Sequence, residues 1–328
     1  MNSFFRLFFS KANFHILLVL FIFSCSGESS IETKINSIPV KINIDRFDLK
    51  FYNANPDEYL QLKKSYPYLF PNQYPDSIWI KRQRDSIQTL LHRQIKNIFP
   101  SLKPVEDNLK QLYKHIKYYF PQIQDPHIVT VVNNVDYQSK VIFTDSLLII
   151  SLDTYLGSKN LIYEGIPNYI VKDMELLYMM SHVIDELGTS VVKIPEDRTF
   201  LGQMIYYGKK QYLKDLLMPS ELDKIKISYS NTEIDWVRNN ERYIWQYFIE
   251  NELLYKTQSS LLSRFIEPAP FSKFYLEIDN ETPGRVGQWL GWQIVRSFVD
   301  KNPEFTLDEL LVIPAEELFN KSNYKPAK

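Results

Sequence analysis

Thr282-Pro283-Gly284-Arg285-Val286-Gly287-Gln288-Trp289-Leu290-Gly291-Trp292-Gln293-Ile294-Val295-Arg296 holds three of the chain's nine glycines. Pro283-Gly284 is a turn signal, and the run after it carries no further breaker, which predicts a helix over about Arg285–Lys301. Gly287 and Gly291 then lie four residues apart on one face. Small residues at that spacing let another backbone or an aromatic ring come close, so a tightly packed helix crossing is expected. The functional alternative is a cleft wall formed by Arg285, Trp289 and Trp292. Asn240, Glu241 and Trp245, on a helix predicted over about Thr232–Glu252, are further candidates for that cleft; for them the plain reading is ordinary helix packing.

Outward from this stretch the chain is helical back to Tyr169, with helices predicted at Met174–Leu187, Thr199–Met218 and Leu261–Ile266, and ahead at Leu307–Leu311 and near Ala315. The N-terminal half mixes patterns. Val40–Phe47 alternates apolar and polar residues and is predicted as a first strand, followed by a helix at Asp57–Ser65. Pro67, Pro71 and Pro75, interleaved with Tyr66, Tyr68, Phe70 and Tyr74, predict an extended aromatic loop, because proline removes a backbone donor and biases its predecessor away from helix. Amphipathic helices are predicted over Ser77–Phe99 and Val105–Tyr119, then a small strand meander at Ile128–Val132, Val141–Phe143 and Leu147–Leu152. No repeat and no interdomain linker is evident. The fold class is therefore α+β, predominantly helical, with a small sheet packed with many helices in one domain over residues 39–328.

Cys25 is the only cysteine. It follows Arg6 and Lys11 and an apolar run, Phe14–Phe23, which together read as the n-region and h-region of a signal segment too short to span a bilayer. Ser24-Cys25 resembles a lipobox, whose cysteine is lipidated and becomes the new N-terminus. Residues 1–24 are thus read as a lipoprotein signal peptide and 25–38, polar and rich in Ser and Glu, as lipidated Cys25 plus a flexible tether. Cleavage would leave 36 basic and 39 acidic residues, a net charge near −3. With no basic patch, nucleic acid is excluded as a partner. No early acidic run follows Cys25, with only Glu28 nearby, which favours a periplasm-facing, lipid-anchored protein of the cell envelope.

Catalytic patterns are missing. His92, His115, His127 and His182 never stand four residues apart, the spacing helical zinc ligands need. His182 with Glu186 is a weak candidate metal pair, and a histidine paired across a helix turn is the plainer reading. No Gly-x-Ser-x-Gly elbow or Cys/His pair occurs, so no catalytic residue and no cofactor is expected.

Several long motifs carry a family likeness: Tyr66-Pro67 with Phe70-Pro71, Tyr118-Tyr119-Phe120-Pro121, Ser151-Leu152-Asp153-Thr154-Tyr155-Leu156-Gly157, Met204-Ile205-Tyr206-Tyr207-Gly208-Lys209, Trp236 through Asn240-Glu241 to Trp245, Ala269 through Tyr275, Pro283 through Arg296, and Tyr324-Lys325-Pro326. In this order they resemble the GldB gliding-motility lipoproteins of the Bacteroidetes. The resemblance implies a membrane-anchored protein required for gliding, a machine part and not a metabolic enzyme; together with the absent catalytic set it leads to the expectation of a non-catalytic component that binds other envelope proteins of the gliding or secretion apparatus. A more distant likeness, to predicted zinc-dependent proteases of the zincin type, implies a degenerate zincin-like fold. Its first helix would offer only His182, and Tyr207 before Gly208 would stand where a glutamate ligand belongs. The alternatives it keeps open are a divergent zincin-type metallopeptidase and a peptide- or peptidoglycan-binding module.

Overall fold

The computed structural model describes residues 30–326. Ser30–Ile38 belong to a first unit of the chain and hold helix α1 (Ser30–Asn36), where an irregular tether is expected from composition. The body, from Pro39, runs β1 (Ile44–Asp45), α2 (Phe47–Asn53), α3 (Pro56–Ser65), α4 (Asp76–Gln83), α5 (Ser86–Ile98), α6 (Lys103–Tyr119), β2 (His127–Val131), β3 (Val141–Phe143), β4 (Leu147–Ser151), α7 (Asn168–Val171), α8 (Met179–Val191), α9 (Phe200–Leu217), α10 (Asp223–Lys226), α11 (Asn231–Glu250), α12 (Ser260–Phe265), α13 (Val286–Lys301), α14 (Leu307–Val312) and α15 (Ala315–Ser322). It is a predominantly helical α+β fold with one small sheet among the described residues, as expected.

The glycine-rich stretch makes the predicted crossing. A Cβ on Gly291 would sit 1.9 Å from the Met204 carbonyl oxygen of α9, and one on Gly208 would sit 2.3 Å from the Gly291 carbonyl. Backbone therefore rests on backbone between α9 and α13. Around this contact Met204, Ile205, Leu290, Trp292, Ile294 and Phe298 are buried, and α11, α12, α14 and α15 add to the same core. The long helices begin where side chains can cap them. Thr199 accepts from the Gly202 N–H at α9, and Ser230 with Glu233 forms a capping box at α11.

The sheet has the order β1-β2-β4-β3. β1 and β4 both run parallel to β2, and β3 closes an antiparallel edge on β4. The expected meander is corrected here: β4 inserts between β2 and β3, so β2 does not pair with β3, the strand that follows it. Both central strands are buried over nearly their whole length, as parallel strands covered on two faces must be. Two further expectations change. Only Ile44–Asp45 of the predicted first strand pairs, because from Phe47 the chain turns into α2 and places Phe47 beside Tyr59, Tyr66, Phe70 and Val129. The single helix predicted over Ser77–Phe99 is two, since the Asp85 carboxylate accepts from the Ile87 and Gln88 N–H groups and caps a new start.

Candidate functional site

A polar cleft of about 260 Å³ opens where the loop before β3, α8, α9, the segment after α12 and the start of α13 meet. His182 of α8 is part of its lining. Its Nε2 lies 3.3 Å from Asp173 Oδ2 and its Nδ1 2.9 Å from the Tyr155 hydroxyl. Asp173 is also ion-paired with Lys140. Burial and the neighbouring Lys140 hold the His182 imidazole below its ordinary pKa, against the pull of Asp173. Burial would raise the Asp173 carboxyl, but the His182 hydrogen bond and the Lys140 charge outweigh it and hold it well below the usual carboxylate range. The consistent arrangement is a neutral imidazole donating to an ionised Asp173 and accepting from Tyr155. Tyr155 is itself buried, which pushes its phenol well above its ordinary value. A hydroxyl so placed is a structural donor and a poor nucleophile.

Glu186, one helical turn from His182, lines the same cleft, and burial raises its carboxyl. Across from it are Lys210, which donates to the Thr189 hydroxyl at 2.8 Å, and Tyr207. His182 and Tyr207, the two positions singled out by the zincin likeness, thus share one cavity. Among the described residues no group of three His, Cys, Asp or Glu side chains is placed to hold a metal ion.

The other sequence candidates separate. Arg285 lies in the cleft; it has a left-handed backbone, φ 64°, donates to the Ser228 carbonyl at 3.1 Å and covers the Tyr229 ring. Trp289 and Trp292 do not form a cleft wall. Both are buried, and their indole N–H groups reach inward, Trp289 to Glu241 at 3.0 Å and Trp292 to Asp215 at 2.8 Å. The reason is that α13 is covered on every side from Val286 to Trp292, with the glycines against α9 and the carboxylates of Glu241 and Asp215 answering the indoles from within the fold. Glu241 is buried with Trp289 and also accepts from the Tyr324 hydroxyl, while Trp245 packs edge-on to Tyr324. Asn240 bonds back to the Trp236 carbonyl of its own helix. This group belongs to α11–α13–α15 packing. Asp173, Lys140 and Lys210 were not legible as site residues, because their partners lie nine to thirty-three positions away and no local motif marks them.

The loop between β2 and β3 forms one wall of the cleft and stores backbone strain. Asn134 and Val135 both have left-handed backbone, φ 64° and 57°, a region a β-branched residue resists. Asp153 holds them there: its fully buried carboxylate accepts from the Val135 N–H at 2.7 Å and the Asn133 N–H at 3.1 Å. Burial pushes the Asp153 carboxyl up to about 6 from 3.8, although those backbone donors and Arg82 oppose the rise. With the folded pKa above the unfolded one, the folded state binds the extra proton between these values, so this group's contribution to stability increases as pH falls through 6. Wild type should therefore gain ~2 kcal/mol relative to Asp153→Asn between pH 7 and pH 4 in urea titrations. A difference that stays constant over that range would contradict it.

A family model described as gliding motility protein GldB matches residues 28–326. The chain belongs to the GldB family. Gliding motility is accordingly the process in which this GldB-family chain takes part. No curated protein and no solved structure matches it. Among its described residues no helix is long and apolar enough to cross a membrane. Cys25 and the signal segment lie outside the described residues.

Proposed function

We propose that this GldB-family protein is a non-catalytic component of the gliding apparatus, held to a membrane of the cell envelope by lipid on Cys25, whose polar cleft binds another component of the gliding or secretion machinery. The carrying observation is the state of His182: both ring nitrogens are occupied by Tyr155 and Asp173, so neither is directed at a substrate or a metal. What remains in the cleft is recognition chemistry. Lys210, Arg285, Glu186 and Glu267 present mixed charge, and Gln211 leaves a buried carbonyl oxygen without a partner. Such a set discriminates partners by charge and hydrogen bonding.

A tagged chain crosslinked in gliding cells should recover a motility or secretion component, and recovery of none would count against the reading. Cys25→Ala should release the protein in soluble form and abolish gliding. The second reading, a divergent metallopeptidase, has in its favour that His182, Glu186 and Tyr207 line one cavity. Stoichiometric zinc in the purified body, with loss of gliding in a folded His182→Gln protein, would decide for it.

A further inference from the structure

On the other side of the β2–β3 loop lies a larger cavity, about 520 Å³, of a size and character that suit a small ligand. Its walls are the aromatic face of α2, the proline-rich loop, α4 and the sheet, with Phe47, Phe51, Tyr68, Trp79, Val131 and Ile149 facing it. The proline-rich loop is thus built in, with Phe70 edge-on to Trp79 at 5.1 Å and to Tyr59 at 5.7 Å.

The polar atoms at its wall fall into two groups. Asp48 is saturated, taking two bonds from Arg46 at 2.9 and 2.7 Å and one from Thr130 at 2.6 Å. Gln83 donates to the Phe51 and Ala54 carbonyls, and Gln88 to Asn134. Three donors or acceptors are left over. The Trp79 indole nitrogen and His92 Nδ1 are buried with no partner, and Arg82 uses one N–H, on the Val132 carbonyl at 3.0 Å, of the five a guanidinium carries. Arg82 also lies 5.9 Å from the Trp79 ring, so cation and indole sit side by side.

We infer that this cavity binds a small amphipathic carboxylate, an acyl or aromatic body filling the apolar space with its single carboxylate on Arg82 and the Trp79 N–H. A planar guanidinium fork matches a carboxylate; Asp153 acts on Arg82 through its charge and Asp136 lines the same cavity, but neither forms an ion pair with the guanidinium, so its N–H fork stays open to a ligand. A neutral apolar molecule would fill the space but leave the Arg82 and Trp79 donors as they are.

The test uses the purified lipid-free protein. 1-Anilinonaphthalene-8-sulfonate, an aromatic body with one oxyanion, should bind with one-to-one stoichiometry and brighten. Decanoate should displace it at least about tenfold better than decanol, the ratio expected of a charge-assisted hydrogen bond. Arg82→Met should remove that preference while the thermal transition is kept. Ile142→Trp, a large side chain placed on the half-exposed strand residue at the cavity mouth, should block both competitors. Equal displacement by decanoate and decanol, dye binding untouched by Ile142→Trp, or no dye binding at all would each overturn the assignment.

Discussion

Gly291→Ala is expected to destabilise the protein by ~3 kcal/mol or more, beyond the usual range for one added methyl in a core. The Cβ would lie 1.9 Å from the Met204 carbonyl oxygen and 2.6 Å from its carbon, where ordinary contact begins at 3.4 Å. Neither atom belongs to a side chain that could turn away. The helices would have to part, and in parting they would loosen Met204, Ile205, Leu290 and Trp292 together. Gly188→Ala is the control. Its Cβ meets only the flexible stem of Lys210 at 3.0 Å, and alanine favours a helix interior over glycine by ~1 kcal/mol, so its net effect should be close to zero. Chemical denaturation of both variants checks the contrast; equal midpoints would remove the crossing as the organising contact.

Asp215→Ala should cost ~3–5 kcal/mol, the range for stripping one partner from a buried charge cluster. Asp215 accepts from Lys226 at 2.9 Å, from two nitrogens of Arg296 at 2.7 and 2.8 Å, and from the Trp292 indole at 2.8 Å. Lys226 is buried and has no other carboxylate, whereas Arg296 keeps Asp223 at 2.7 Å. The loss is therefore concentrated on Lys226 and Trp292. Asp215→Asn keeps the shape and one acceptor and should lose about half as much, and adding Lys226→Met to Asp215→Ala should recover part of the loss by removing the stranded charge. A cost below ~1 kcal/mol for Asp215→Ala would mean that solvent reaches the cluster.

Both sites lie on elements whose reading from sequence was nearly complete. The ends of α9, α11 and α13 agree with the predicted helices to within about two residues, because Thr199, Ser230 and Pro283-Gly284 mark their starts locally. What was not legible is what depends on distant partners. The pairing of β4 with β2 is set by the burial of both strands, and the alternation in Val40–Phe47 gave way to the aromatic cluster that Phe47 joins as the first residue of α2. Trp289 and Trp292 were ambiguous for a similar reason: a tryptophan beside a glycine reads equally as a cleft wall or as core, and only the carboxylates of Glu241 and Asp215, forty-eight and seventy-seven positions away, place the indoles inside. Of the cleft, His182, Glu186, Tyr207 and Arg285 were visible as residues; the ion pair that neutralises Asp173 and the hydroxyl that occupies His182 were not.

Those two contacts are also what turns the reading from chemistry toward recognition, and the cleft is where it can be tested most directly. A photo-crosslinking residue placed at Gln138 or at Glu267, both exposed on the cleft rim, should capture one component of the gliding or secretion apparatus in living, gliding cells. The same residue at Tyr243, exposed on α11 away from the cleft lining, should not. Capture of the same partner from all three positions, or from none of them while gliding persists, would contradict a cleft that docks a partner.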